Sequence, residues 1–128
     1  MARMKKEDVR TEADIIRYLS DYSDFEKAVY VATFRIPQGK VSTYSGIAEM
    51  IGRPKASRAV ANALHNNPLY PMVPCWRVVK SDGSFGGDQK AAAGRRERVC
   101  QDGVPVEDGK VVMKEDLIYR SKPLETLQ

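Results

Sequence analysis

Residues 42–68 read STYSGIAEMIGRPKASRAVANALHNNP, and this stretch decides the fold. Ser42 or Thr43 can cap a helix whose apolar side is Tyr44, Ile47, Ala48 and Ile51, spaced i, i+3, i+4, i+7. Gly52 suits the position just past that helix, where a left-handed backbone is common, and Arg53-Pro54 opens a turn. A second helix is predicted from about Lys55 to His65, burying Ala56, Val60, Ala63 and Leu64, and Asn66-Asn67-Pro68 stops it. Two short helices joined by a tight glycine-containing turn form a helix-turn-helix pattern. Many helical hairpins share it, so the pattern alone does not establish nucleic-acid binding.

Upstream, Glu7 to Ser20 places Ile15, Ile16 and Leu19 at helical spacing. A further helix, capped by Ser23 or Asp24, runs through Phe25, Val29, Ala32 and Phe34 and ends before Pro37. Gln38-Gly39 is a turn, and Lys40-Val41 a short extended piece. Downstream, Tyr70 to Val79 is a short apolar segment bracketed by Pro71 and Pro74, followed by a loop from Lys80 to Lys90. Ala91 to Gln101 reads as a basic helix carrying Arg95, Arg96 and Arg98. Val104 to Met113 reads as a β-hairpin turning at Glu107-Asp108-Gly109-Lys110. The expected fold is therefore α/β but mainly helical, a winged-helix-like unit with a helix-turn-helix and a short β-hairpin. Residues 1–24 are read as an N-terminal extension with a short helix, 25–113 as the domain, and 114–128 as a C-terminal tail, loosely ordered from Ser121.

The 128 residues fit one domain, and 42% hydrophobic with 30% charged residues excludes a disordered chain. No apolar run is long enough to span a bilayer, and MARMKKEDVR leads into no apolar signal core. Two cysteines, Cys75 and Cys100, are too few for a disulfide scaffold, and the single His65 excludes a multi-histidine metal site. No metal and no cofactor are expected, and the location expected is the cytoplasm, or the nucleus of a eukaryotic cell. The net charge of +4 is a mild pointer to an anionic partner.

Val73-Pro74-Cys75-Trp76-Arg77-Val78-Val79 holds a cysteine between a proline and two large side chains, in a stiff turn that could fix a nucleophile. The bland reading is a small buried hydrophobe, the commonest fate of a free cysteine. Arg77 favours the sharper reading, because a nearby cation stabilises a thiolate.

The runs Ile36-Pro37-Gln38-Gly39-Lys40-Val41-Ser42-Thr43-Tyr44, Arg58-Ala59-Val60, Asn67-Pro68 and Pro74-Cys75-Trp76-Arg77-Val78-Val79 stand in order along the chain. Together they resemble the C-terminal domain of O6-alkylguanine-DNA alkyltransferases and the related alkyltransferase-like proteins, over about Phe25 to Val106. The resemblance implies a second helix lying in the minor groove, with Ser57, Ala59 and Ala61 at DNA-facing positions. It makes Arg58 the arginine finger that enters the base stack and Tyr44 the tyrosine that helps rotate the target's 3′ phosphate, with Thr43 beside it in the DNA-binding set. It makes Cys75 the acceptor, whose thiolate takes the alkyl group irreversibly from a turned-out guanine. Asn67 braces the active turn. The loop Ser81 to Gly87 would line the alkyl pocket, and the basic helix is either a solvated face or a phosphate contact. The family's N-terminal domain has no counterpart in the residues before Phe25.

The pattern departs from active transferases at two places. Their Pro-Cys-His-Arg has a histidine, oriented by a glutamate, that activates the thiol through water. Trp76 stands at the histidine position and Asp102 where the glutamate would fall. An indole N–H only donates and cannot serve as a base. His65 is expected to be a surface or DNA-contacting residue, and Cys100 a structural one. Losing one general base costs about 10²–10⁴-fold in rate, which a single-turnover protein can survive at the lower end. The function expected is alkyl transfer to Cys75, with Cys75, Arg77, Asn67 and Trp76 at the reacting centre. The alternative is recognition of O6-alkylguanine without transfer, signalling to another repair pathway. A sequence-specific helix-turn-helix regulator ranks last. The expected partner is double-stranded DNA containing O6-alkylguanine, with other repair proteins second, and the chain is expected to be a monomer.

Overall fold

The computed structural model describes residues 4–120. Thr11 and Asp14 form a reciprocal capping box that starts helix α1, Glu12–Tyr18. The expected single helix from Glu7 is thus divided: Lys6–Asp8 form a 3-10 turn, Val9 is fully buried, and the chain restarts at the Thr11 cap. Ser23, paired with Glu26, caps α2, Asp24–Phe34. Arg35 Nε, just past α2, donates to Glu12 Oε2 at 2.6 Å and ties the two helices end to end.

Strand β1, Ser42–Thr43, leads directly into α3, Tyr44–Met50, where Thr43 Oγ1 accepts from Gly46 N at 2.9 Å. Helix α4 is Ser57–His65, two residues shorter at its start than expected. Ala56 N donates to Arg53 O at 2.9 Å, so Lys55 is taken up by the turn. Strand β2, Val78–Val79, lies parallel to β1 with Ser42 opposite Val78 and Thr43 opposite Val79. The extended piece expected at Lys40-Val41 is displaced by two residues, to Ser42–Thr43, and Val41 instead bridges to Ile118. Helix α5, Gln89–Gln101, begins two residues before the expected Ala91, because Asp88 Oδ1 accepts from Ala91 N at 2.8 Å. Strands β3, Val106–Glu107, and β4, Lys110–Val111, form the hairpin, turning through Asp108 and Gly109, both at positive φ. The tail predicted from Ser121 lies outside the described residues.

Two apolar clusters result. The larger gathers Val9, Ile15 and Leu19 with the inner faces of α2, α3 and α4, and it includes Cys75 and Val78. The smaller gathers Val41, Trp76, Val79, Phe85, Val99, Val104 and Val111. Neighbours Cys75 and Trp76 thus belong to different cores, and the 3-10 turn Cys75–Arg77 lies on the seam between them. Each core grips one side of that turn, so its backbone is held without a long strand or helix.

Candidate active site at the Cys75 turn

Asn67, just beyond α4, binds both sides of the loop that leads to Cys75. Its Nδ2 donates to Val73 O at 2.8 Å, and its Oδ1 accepts from Leu69 N at 2.9 Å. Cys75 N donates to Val73 O at 2.9 Å and Arg77 N to Pro74 O at 3.0 Å, which closes the turn. Cys75 is 7% exposed and opens onto a cleft of about 520 Å³. His65, Tyr70, Trp76, Arg95 and Arg98 share the lining.

Trp76 is 4% exposed and points its indole N–H at Asp102, with Nε1 donating to Oδ2 at 2.9 Å. Arg77 completes the arrangement: Nε donates to Asp102 Oδ2 at 2.8 Å, Nη2 to Oδ1 at 3.3 Å and Nη1 to Ile36 O at 2.9 Å. Burial would raise the Asp102 carboxyl, but the hydrogen bonds from Arg77 and Trp76 outweigh it and hold it below the usual carboxylate range. The guanidinium proposed from sequence as a thiolate partner is therefore engaged with Asp102 and lies outside the Cys75 cleft. It lines a groove on the other side of Tyr70 instead.

The basic helix splits by face. Arg96 is exposed, whereas Arg95 and Arg98 are partly buried and turn to the cleft. The Arg98 guanidinium stacks over the Trp76 ring at 4.0 Å and lies 5.6 Å from the Tyr70 ring. Tyr70 meets Trp76 edge-on at 5.7 Å. Arg95 Nη1 donates to Gly86 O at 3.0 Å. The loop Ser81 to Gly87 does not line the cleft: Phe85 is buried in the smaller core, and Gly86 backs onto Tyr44 and His65. Cys100, expected to be structural, is exposed, because α5 turns Val99 and not Cys100 into the core.

On α4, Arg58 and Ala59 are exposed, and Ser57 and Ala61 are partly buried. At about 100° per residue, Ser57 and Ala61 share one side of the helix, and Ala59 faces nearly opposite. Ala59 lies in a groove with Tyr22 and Asn62. Ser57, Ala61 and His65 form an i, i+4, i+8 stripe. That stripe brings His65 Nε2 to 3.2 Å from Tyr44 Oη, with the rings edge to face at 5.9 Å. Tyr44 is 8% exposed, and its phenol is raised by burial and by the Cys75 charge, against a lowering influence from Arg95. The His65 imidazole is held below its ordinary value by burial, Arg95 and Lys80. The sequence offered this contact only through the stripe. Thr43 Oγ1 is occupied as the α3 cap and also pairs with Ser45 Oγ at 3.1 Å.

Among the described residues no group of His, Cys, Asp and Glu could hold a metal ion, and no helix is long and apolar enough to cross a membrane.

Residues 24–104 match the family described as 6-O-methylguanine DNA methyltransferase, DNA binding domain. The methylated-DNA–protein-cysteine methyltransferase of Methanosarcina barkeri is 40% identical over 78 residues, 61% of this chain and 49% of that protein. The chain thus spans about half the length of such curated relatives. S. pombe Atl1, solved in complex with damaged DNA containing O6-carboxymethylguanine, superposes with a TM-score of 0.67 at 29% identity, covering 77% of this chain and 96% of that one. The Mycobacterium tuberculosis O6-methylguanine methyltransferase gives a TM-score of 0.60 at 33% identity, over 66% of this chain and 53% of that one.

Proposed function

Since the chain belongs to the family of the 6-O-methylguanine DNA methyltransferase DNA-binding domain, we propose that it binds duplex DNA, turns out O6-alkylguanine and transfers the alkyl group to Cys75. Helix α4 enters the minor groove, Arg58 fills the gap left in the base stack, and Tyr44 and Thr43 stand at the phosphate side. The Cys75 sulfur then bonds the alkyl carbon as the carbon–O6 bond breaks. The electron pair goes to the guanine oxygen, and the proton lost by the thiol is matched by one gained at the ring nitrogen. The thioether is not hydrolysed, so one molecule acts once.

The observation that carries this reading is the position of Cys75, at the wall of a 520 Å³ cleft on a turn that Asn67 braces. Ligand sites of about 300–1,000 Å³ suit a base with its substituent. Arg53, Lys55, Arg58, Lys80 and Arg96 are among the exposed cationic side chains and are available to phosphates.

One observation favours a second reading, recognition without transfer. The Trp76 indole occupies Asp102, so the residue after the cysteine supplies no base. In that case the bound base is handed to other repair proteins. Intact-protein mass after incubation with an O6-methylguanine oligonucleotide separates the two. A gain of one methyl group in place of hydrogen, on the Cys75 peptide and absent in Cys75→Ala, supports transfer. No gain over many hours, with preferential binding of the damaged duplex, supports recognition.

A further inference from the structure

We propose that Arg98 is the anion receptor of the Cys75 cleft and suits it to O6-alkylguanines whose substituent ends in a carboxylate. This rests on the reading of the cleft as the seat of a turned-out O6-alkylguanine, and it holds whether the alkyl group is transferred or only recognised. Cys75, Trp76 and Arg98 line the same cleft. The α5 side of it runs Ala91, Gly94, Arg95 and Arg98, spaced i, i+3, i+4, i+7. The first two positions are small, and a Cβ added at Gly94 would meet nothing within 4 Å, so open space lies beside them. A methyl substituent fills little of that space and has no atom that a guanidinium could bind.

The two arginines differ in what holds them. Arg95 Nη1 donates to Gly86 O at 3.0 Å, so that side chain ties α5 to the loop before it. Arg98 is held by the faces of rings instead, 4.0 Å from the Trp76 centroid and 5.6 Å from that of Tyr70. Among the described residues no acceptor takes its side-chain N–H groups and no carboxylate pairs with it. Asp102 feels the Arg98 charge, but its oxygens already accept from Trp76 and Arg77. Glu97, the acidic residue on the cleft lining, is exposed to solvent. The stacked rings thus fix the plane of the guanidinium and leave its N–H edge for a planar anion. Arginine grips a carboxylate through two parallel N–H···O bonds, which a substituent reaching along α5 can supply. A backbone phosphate offers the same acceptor chemistry, and the two sources are separable because every duplex carries phosphates.

The test measures binding by fluorescence anisotropy, with the full chain carrying Cys75→Ala so that no alkyl group is removed. Three duplexes of one sequence are compared: undamaged, with O6-carboxymethylguanine, and with O6-carbamoylmethylguanine. The two adducts have nearly the same shape and differ in charge. The carboxymethyl duplex is expected to bind about tenfold more tightly than the carbamoylmethyl one, the size of one partly exposed charge-assisted hydrogen-bonded pair. Arg98→Gln keeps a planar group over Trp76 without the charge, and there the ratio falls to about one. Arg98→Lys keeps the charge without the fork, and its ratio lies between the two. The comparison of adducts on the parent chain needs no change at Arg98, so it stands even where Arg98→Gln folds poorly. A parent ratio near one overturns the proposal, and so does a raised ratio that Arg98→Gln leaves unchanged. An equal loss on all three duplexes in Arg98→Gln gives the guanidinium to a backbone phosphate and overturns it too. If the parent binds neither damaged duplex more tightly than the undamaged one, the cleft does not seat O6-alkylguanine, and the proposed function falls together with this inference.

Discussion

The Trp76 indole N–H donates to Asp102 Oδ2 at 2.9 Å, beside the Arg77 guanidinium that grips the same carboxylate at 2.8 Å. The site therefore keeps a carboxylate that orients the ring following the cysteine, although the ring has no lone pair to act as a base. In free-energy terms the arrangement serves structure. Asp102 joins α5 to the turn, and Trp76 anchors the smaller core under the Arg98 guanidinium.

This relationship sets the first expectation. In Trp76→His the imidazole can donate one ring N–H to Asp102 and present the other nitrogen toward Cys75. The methyl-transfer rate is expected to rise by about 10²-fold at pH 7.5, within the usual range for adding a general base. Stability falls by about 1–3 kcal/mol, because a smaller ring under-fills the core. Single-turnover kinetics with an O6-methylguanine duplex and urea unfolding measure the two effects. A slower protein would show that Trp76 shapes the cleft for transfer as it stands.

Asp102→Asn leaves the Arg77 charge without its partner, with the two side chains only 15% and 10% exposed. The expected loss is about 3 kcal/mol at neutral pH, the lower end for breaking a buried pair. The sign with pH follows from the lowered carboxyl. Its contribution is fully present above the unfolded value of about 3.9 and is lost as pH falls through the lower folded value. Urea midpoints of the wild type and Asp102→Asn should therefore differ most above pH 5 and converge toward pH 2. A constant gap would place the stabilisation elsewhere.

The helix-turn-helix was legible because Tyr44, Ile47, Ala48, Val60, Ala63 and Leu64 follow helical spacing closely, and all are buried. The hairpin was legible from Asp108-Gly109, whose turn needs positive φ at both residues. Two-residue strands carry no period, so the parallel pairing of Ser42–Thr43 with Val78–Val79 left no trace in the sequence. Asn67 was marked as a brace, and both ends of its amide bind backbone. The rest of the cleft depends on which way α5 faces. With three arginines in four residues, composition alone could not separate Arg95 and Arg98 from the exposed Arg96. His65 is exposed, as a surface residue was expected to be, but its contact with Tyr44, 21 residues away, was not foreseen.

Gly86→Ala tests the crowding behind the cleft. Its added methyl would strike the Tyr44 hydroxyl and crowd the His65 ring; the exposed His65 can move aside, but Tyr44, buried in the larger core, cannot retreat freely. A stability loss of about 1–3 kcal/mol is expected from overpacking. Urea unfolding of the wild type and Gly86→Ala measures that loss. An unchanged urea midpoint would show that the loop carrying Gly86 yields instead of the Tyr44 side chain.

Arg58 lies exposed on α4, and Val60, Ala63 and Leu64 on the same helix face the core, so Arg58→Ala should fold with unchanged stability to within about 0.5 kcal/mol. What changes is the duplex. If the side chain fills the gap left by a turned-out base, its removal costs a contact made with the damaged site and leaves phosphate contacts in place. Binding to an O6-methylguanine duplex is then expected to weaken by about tenfold or more, while affinity for undamaged duplex falls far less. The salt dependence distinguishes the roles further. A phosphate-binding arginine contributes about one unit to the slope of log affinity against log salt, whereas a residue inserted into the stack changes preference at nearly constant slope. Fluorescence anisotropy on both duplexes at 50–200 mM salt reads both quantities. An equal loss on the two duplexes with a slope reduced by one would make Arg58 a phosphate contact, and the base-turning role would pass to another residue of α4.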